Sequence, residues 1–168
     1  IIGKAEAGAL QFEPKPVDLR DLCHKVVEEL RGGVAKEHVI QFEHQFERGS
    51  LKLDEKLLRH ILTNLLSNAV KYSPPGSTVS MLLTERDGQA LIEVGDQGIG
   101  IPPEDQARLF EGFHRASNVG NRPGTGLGLV IVKKAVELHG GTISIDSKVD
   151  AGTRISVHLP LAQAAKAA

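Results

Sequence analysis

Four short motifs stand in a fixed order between Asn64 and Leu129, and together they leave few folds open. The run Asn64-Leu-Leu-Ser-Asn68-Ala-Val-Lys71-Tyr72 lies on a helical apolar pattern, and Asp96-Gln-Gly98-Ile-Gly100 closes a strand-like run. Phe110-Glu-Gly-Phe113-His-Arg115 sets two aromatics in a polar stretch, and Gly124-Thr125-Gly126-Leu127-Gly128 opens another helix. A fold that serves all four must bring a polar helix face, a glycine-flanked carboxylate and a helix N-terminus to one pocket.

Local patterning supplies the elements. Pro14 and Pro16 close a Gly-containing segment, residues 1–16, that reads as a linker. Asp18 can cap a helix whose apolar positions Leu19, Leu22, Val26, Val27 and Leu30 recur at helical spacing. Ile40, Phe42 and Phe46 alternate as in a strand. Asp54 opens a second helix with Leu57, Leu58, Ile61, Leu62, Leu65, Leu66 and Ala69 toward a core, and Pro74-Pro75 ends it. Strands over about Thr78 to Glu85 and Ala90 to Gly95 flank Arg86-Asp87-Gly88, a hairpin signal. A third helix runs from the last glycine motif to about Leu138 and stops at Gly140-Gly141. A final hairpin, Thr142 to Asp146 and Thr153 to Leu159, turns at Asp150-Ala-Gly152. The Ala-rich residues 161–168 lack periodic packing and read as a loose tail. Helices and strands mix without a regular βαβ repeat. The expected architecture is an α+β two-layer sandwich, about three helices on one face of a mixed β-sheet.

The motifs also carry chemistry. Asn64, Asn68 and Lys71 share one helix face, although taken alone such a triplet also describes a solvated surface. The Asp96 carboxylate can accept a hydrogen bond from an exocyclic amine, which adenine has and guanine lacks at that ring position. Gly98 and Gly100 let backbone approach a base without a Cβ in the way. Gly124, Gly126 and Gly128 free backbone amides at a positive helix N-terminus to hold phosphate oxygens, with no Walker lysine. Leu129 stands where a dinucleotide fingerprint starting at Gly124 needs its last glycine, so P-loop and Rossmann readings both fail on spacing. Between the motifs, Glu111 to Pro123 is too poor in apolar residues to pack firmly and reads as a lid over the nucleotide, anchored by Phe110 and Phe113.

The four runs resemble the N box, first glycine box, F box and second glycine box of the sensor histidine kinases. Over about Pro16 to Pro160 the chain resembles their catalytic ATP-binding domain, of the superfamily that includes DNA gyrase, the mismatch-repair ATPases and the heat-shock chaperone ATPases. The resemblance implies a Bergerat-type fold, with ATP and Mg2+ as cofactors. It makes Asn68 the metal ligand, points Lys71 at the phosphates and puts Tyr72 beside the nucleotide. It adds Ile101, Thr125 and Leu127 to the nucleotide site and matches Arg115 to a residue that can stabilise the transferring phosphoryl. Thr153, after Gly152, matches a Gly-Thr that supports the adenine-reading Asp. The hydrolysing members of the superfamily carry a Glu, one turn before the metal Asn, as general base for water. Here that position is Asn64, which cannot accept a proton at neutral pH, so transfer to an external nucleophile is favoured over hydrolysis.

A histidine kinase also needs a phosphoacceptor His followed by an acidic and then an apolar residue. The seven histidines precede Lys25, Val39, Gln45, Ile61, Arg115, Gly140 and Leu159, and none fits. The implied partners are therefore an upstream dimerisation and phosphoacceptor domain and a response regulator. The piece itself is expected to be monomeric and its parent a homodimer. A non-catalytic ATP-sensing module and a serine-directed kinase of the same fold are the alternatives. The 168 residues, 40% hydrophobic, suit one compact domain, and a net charge of -1 without a basic cluster disfavours nucleic acid. The lone Cys23 and the lack of an apolar run near the ~20 residues of a membrane span point to a reducing, cytoplasmic setting. A start at Ile1 reads as a fragment, and a membrane-anchored parent stays open.

Overall fold

The computed structural model describes residues 11–33, 35–106, 108–110 and 128–161. The elements are β1 (Lys15–Asp18), α1 (Leu19–Arg31), β2 (Val39–Gln45), β3 (Ser50–Leu53), α2 (Glu55–Lys71), β4 (Thr78–Arg86), β5 (Gln89–Gly95), α3 (Pro103–Gln106), α4 (Gly128–Leu138), β6 (Thr142–Lys148) and β7 (Gly152–Pro160). Five strands form one mixed sheet in the order β2-β4-β5-β7-β6, with β2 parallel to β4 and every other pair antiparallel. β1 and β3 make a separate antiparallel pair.

Both predicted helix starts are caps of the expected kind. The Asp18 carboxylate accepts from the Asp21 N–H and the Asp54 carboxylate from the Leu57 N–H, each satisfying an amide of the first turn that has no helical partner. Asp87 and Gly88 both take positive φ, the requirement of a tight hairpin between β4 and β5. Gly140, also at positive φ, ends α4 as the sequence predicts.

Register decides which sheet face is apolar. Met81, Val94, Ile155 and Ile145 stand opposite one another across β4, β5, β7 and β6, and Leu83, Ile92, Val157 and Ile143 form the next row. With period-two alternation these rows share one face, and they join the core that includes α1, α2 and α4. α2 supplies Leu57, Leu58, Ile61, Leu62, Leu65, Leu66, Ala69 and Val70, all buried. Cys23 lies in the same core, where burial pushes its thiol up to about 12. The fold is thus the expected helix layer on one face of a mixed sheet.

The chain enters the folded body earlier than the linker reading of residues 1–16 supposes. Lys15 and Pro16 pair with Leu53 and Lys52, and the Glu13 N–H donates to Asp54 Oδ2. Proline is tolerated there because β1 is an edge. At the other end, Leu161 is buried and its N–H donates to the Gly88 carbonyl, so it belongs to the body rather than to a tail. Residues 1–10 and 162–168 lie outside the described residues, as do the expected lid and Phe113, Arg115, Gly124, Thr125, Gly126 and Leu127.

Candidate nucleotide-binding site

The end of α2, the exit of β5 and the β6–β7 turn meet around Asp96. Its backbone N–H donates to the Thr153 carbonyl at 2.9 Å, which extends the β5–β7 ladder by one step. Its Oδ1 accepts from the Gly98 N–H at 2.8 Å and the Thr153 N–H at 3.3 Å, while among the described residues its Oδ2 has no hydrogen-bond partner. Burial raises the Asp96 pKa above the usual carboxylate value, and the two backbone donors oppose that rise. The result is a half-buried carboxylate with one oxygen held and one to offer.

Glycine is required here by space as much as by conformation. A Cβ on Gly98 would lie 2.2 Å from the Tyr72 carbonyl oxygen, and that carbonyl also accepts the Ile99 N–H. At Gly100, φ is +71° and a Cβ would meet the Lys148 carbonyl oxygen at 2.0 Å. The glycine loop is therefore pressed directly onto the end of α2 on one side and the β6–β7 turn on the other. Gly95, just before Asp96, is the last residue of β5. A Cβ there would come to 2.9 Å of Ser80 Oγ, so the neighbouring strand already fills the space.

On α2 the two asparagines have different environments. Asn64 Nδ2 donates to the His60 carbonyl at 2.8 Å, and its Oδ1 faces the first residue of α4, where a Cβ on Gly128 would approach to 2.9 Å. That contact seats α4 against α2. The half-buried Asn68 side chain makes no hydrogen bond among the described residues. Lys71 Nζ stands 5.1 Å from the Tyr72 ring centroid, a cation–π distance. Phe110 is half-buried, with Lys133 Nζ of α4 at 5.4 Å from its ring centroid. Ile101 is fixed by its N–H to Ser147 Oγ at 2.9 Å.

Tyr72, Asp96, Gly98, Gly100, Ile101 and Thr153 thus converge, and Asn64 and Gly128 form a second contact on the α2–α4 side. Sequence reasoning passed over Ser147 and Gln106. Gln106 Nε2 donates to the carbonyls of Ile101 and Ser147, at 2.9 and 3.0 Å. The hairpin register, which pairs Ser147 with Thr153, was the signal available for Ser147. Among the described residues no group of three or more His, Cys, Asp or Glu could hold a metal ion, and no helix is long and apolar enough to cross a membrane.

Relatives share this arrangement of elements. The circadian input-output histidine kinase CikA of Synechococcus elongatus is 36% identical over 166 residues, covering 95% of this chain and 22% of CikA. A solved structure of the mycobacterial sensor histidine kinase MprB superposes with a TM-score of 0.77 at 33% identity, covering 87% of this chain and 97% of that one. Full-length ShkA in complex with AMPPNP gives a TM-score of 0.79 at 29% identity, covering 93% of this chain and 33% of ShkA. The chain spans between 22% and 32% of the length of the curated relatives CikA and MprB. Residues 53–163 match the family described as histidine kinase-, DNA gyrase B-, and HSP90-like ATPase, from the strand before α2 to just past β7, and the chain belongs to that family as a catalytic ATP-binding domain of the histidine kinase kind.

Proposed function

We propose that this chain binds ATP with Mg2+ and presents the γ-phosphoryl for in-line transfer to a histidine imidazole on a separate dimerisation domain. The observation that carries the reading is Asp96, held at Oδ1 by two backbone N–H groups with Oδ2 left to accept from the exocyclic amine of adenine. Gly98 and Gly100 bring the backbone up to the base, with Tyr72 and Ile101 beside them. Thr153 supports the carboxylate. Gly124, Thr125, Gly126, Leu127 and Gly128, which lead into α4 along the chain, supply phosphate contacts.

The donor set suits magnesium. Asn68 offers a neutral, hard amide oxygen that makes no hydrogen bond among the described residues, a ligand type that would suit magnesium. A magnesium ion held by Asn68 would neutralise phosphate charge as it develops in the transfer. Lys71 adds a point charge along the phosphate chain, and Arg115 stabilises the phosphoryl in transit. In the transfer the bond from the γ-phosphorus to its bridging oxygen breaks, ADP leaves with that electron pair, and an imidazole lone pair forms the new N–P bond. An imidazole nitrogen with a free lone pair needs no general base in this domain, and Asn64 supplies none.

None of this chain's histidines has the expected acceptor context. His139 in addition is buried and engaged at both ring nitrogens. The acceptor therefore lies on another segment or another protein, a response-regulator Asp receives the group in turn, and the domain works in the cytoplasm as a monomer within a dimeric parent. The test is γ-labelled ATP and magnesium with this chain and a separately expressed dimerisation helix pair of the full-length protein. Acid-labile, base-stable label on the helix pair that disappears with Asn68→Ala supports the reading. Nucleotide binding without transfer overturns it in favour of an ATP-sensing module, and acid-stable label overturns it in favour of a serine acceptor.

A further inference from the structure

We propose that Ser147 is a positioning residue that fixes the direction of the Asp96 carboxylate and thereby sets the base selectivity of the nucleotide site, an inference that rests on the ATP reading above. Ser147 stands on β6 opposite Thr153 of β7. Its Oγ lies 2.9 Å from the Ile101 nitrogen, 3.0 Å from the Gly152 carbonyl oxygen and 2.8 Å from Thr153 Oγ1. A serine hydroxyl has one proton and two acceptor sites. A carbonyl can only accept and a backbone N–H can only donate, so the proton goes to Gly152. The Ile101 N–H and the Thr153 hydroxyl then fill the acceptor sites, and no bonding capacity is left over.

Its three partners are the structural flanks of Asp96. Thr153 donates its N–H to Asp96 Oδ1 and accepts the Asp96 N–H at its carbonyl. Gly152, at φ +91°, passes so close that a Cβ there would lie 2.1 Å from the Asp96 carbonyl oxygen. Ile101 closes the glycine loop that Asp96 opens, and Gln106 ties Ile101 to Ser147 a second time through their carbonyls. Of the two donors that hold Oδ1, the Thr153 N–H belongs to a residue held from behind by this hydroxyl, and the Gly98 N–H lies within the glycine loop whose Ile101 end the same hydroxyl fixes. Among the described residues this hydroxyl makes no bond to α2 or α4, the elements next to the proposed phosphate contacts. Removing the hydroxyl should therefore affect reading of the base and spare the grip on the phosphates.

The experiment is calorimetric titration of the 168-residue chain with ATP and with ITP, whose base carries a carbonyl where adenine carries its amine. The unaltered chain should prefer ATP. Ser147→Ala should weaken ATP about tenfold and leave ITP within about twofold, the scale of one misaligned charged hydrogen bond. Ser147→Thr should restore the preference, and in an Asp96→Ala background Ser147→Ala should change the ATP-to-ITP ratio no further. Equal loss of both nucleotides, or an unchanged ratio, would overturn the role of Ser147. If Ser147→Ala does not melt cooperatively, Ser147→Cys, of similar shape with a weakly bonding thiol, is read by the same ratio. An unaltered chain that binds neither nucleotide overturns the ATP reading itself, and one that binds both equally overturns the role of Asp96. Both results are distinguishable from a failure of Ser147 alone.

Discussion

Replacing His139 with Leu should destabilise the domain substantially, because this ring links the C-terminal end of α4 to the N-cap of α2. His139 Nδ1 lies 2.8 Å from the Ala135 carbonyl, and Nε2 accepts the Asp54 N–H at 3.0 Å. Since the Asp54 amide can only donate, the network assigns the neutral tautomer with its proton on Nδ1. His139 and Asp54 are only 5% and 6% exposed, so an amide stripped of its partner there is not rescued by bulk water. Leaving that donor unpaired costs about 1–3 kcal/mol. The edge-on contact with the Phe12 ring, at 4.8 Å between centroids, adds roughly 0.5–1 kcal/mol. A combined loss of about 2–4 kcal/mol corresponds to a fall in Tm on the order of 4–16 °C for a chain of this size.

The same contact has a pH signature. Burial lowers the His139 pKa below its ordinary 6.5, against the smaller opposing effects of the Ala135 carbonyl and the Asp54 charge. The unfolded chain therefore takes up a proton first as pH falls, and stability drops with it. The contribution of His139 is complete above about pH 6.5, is lost progressively as pH falls toward the depressed folded value, and levels off below it. Melting curves of the wild type and His139→Leu, taken from pH 8 downward, check both statements. Burial lowers the His60 pKa in the same direction, so the difference between the two proteins, rather than either curve, isolates His139. A Tm change under 2 °C at pH 8, or a difference that does not shrink on acidification, would refute the reasoning.

Four further outcomes follow from the geometry. Gly98→Ala should abolish measurable nucleotide binding, since its Cβ would meet backbone atoms of Tyr72 that cannot swing aside; unchanged calorimetric affinity would contradict this. ATP affinity should fall on acidification with a midpoint above the ordinary carboxylate value of 3.8, because burial favours protonated Asp96 and only the ionised form offers Oδ2 at full strength; titration across acidic buffers, with Asp96→Asn as control, reads it. Leu62→Ala, at a fully buried position of α2, should cost about 2–5 kcal/mol in denaturant unfolding. Arg48→Ala should change stability by under about 1 kcal/mol in the same assay, because its bidentate pair with Glu85 is solvent-exposed.

The sequence by itself determined what depends on neighbours along the chain. Asp18 and Asp54 cap helices because their carboxylates reach amides three residues on, and Asp87-Gly88 turns because both can adopt positive φ. The apolar stripe of α2 fixed which of its faces would be buried. The ordered glycine and asparagine motifs pointed to the candidate site for the same reason, as each is a local demand on spacing and steric freedom. Tertiary structure alone decided the pairings between distant segments. β2 lies parallel to β4 although β3 and α2 intervene, and β1 pairs with β3 across α1 and β2, since edge strands take partners by shape and exposure that no local pattern encodes. The same holds for single side chains. Ser147 and His139 read as an ordinary strand serine and an unremarked histidine until folding brings Ile101 and Gly152 to one and Asp54 and Phe12 to the other, because a hydrogen bond is specified by where its partner arrives.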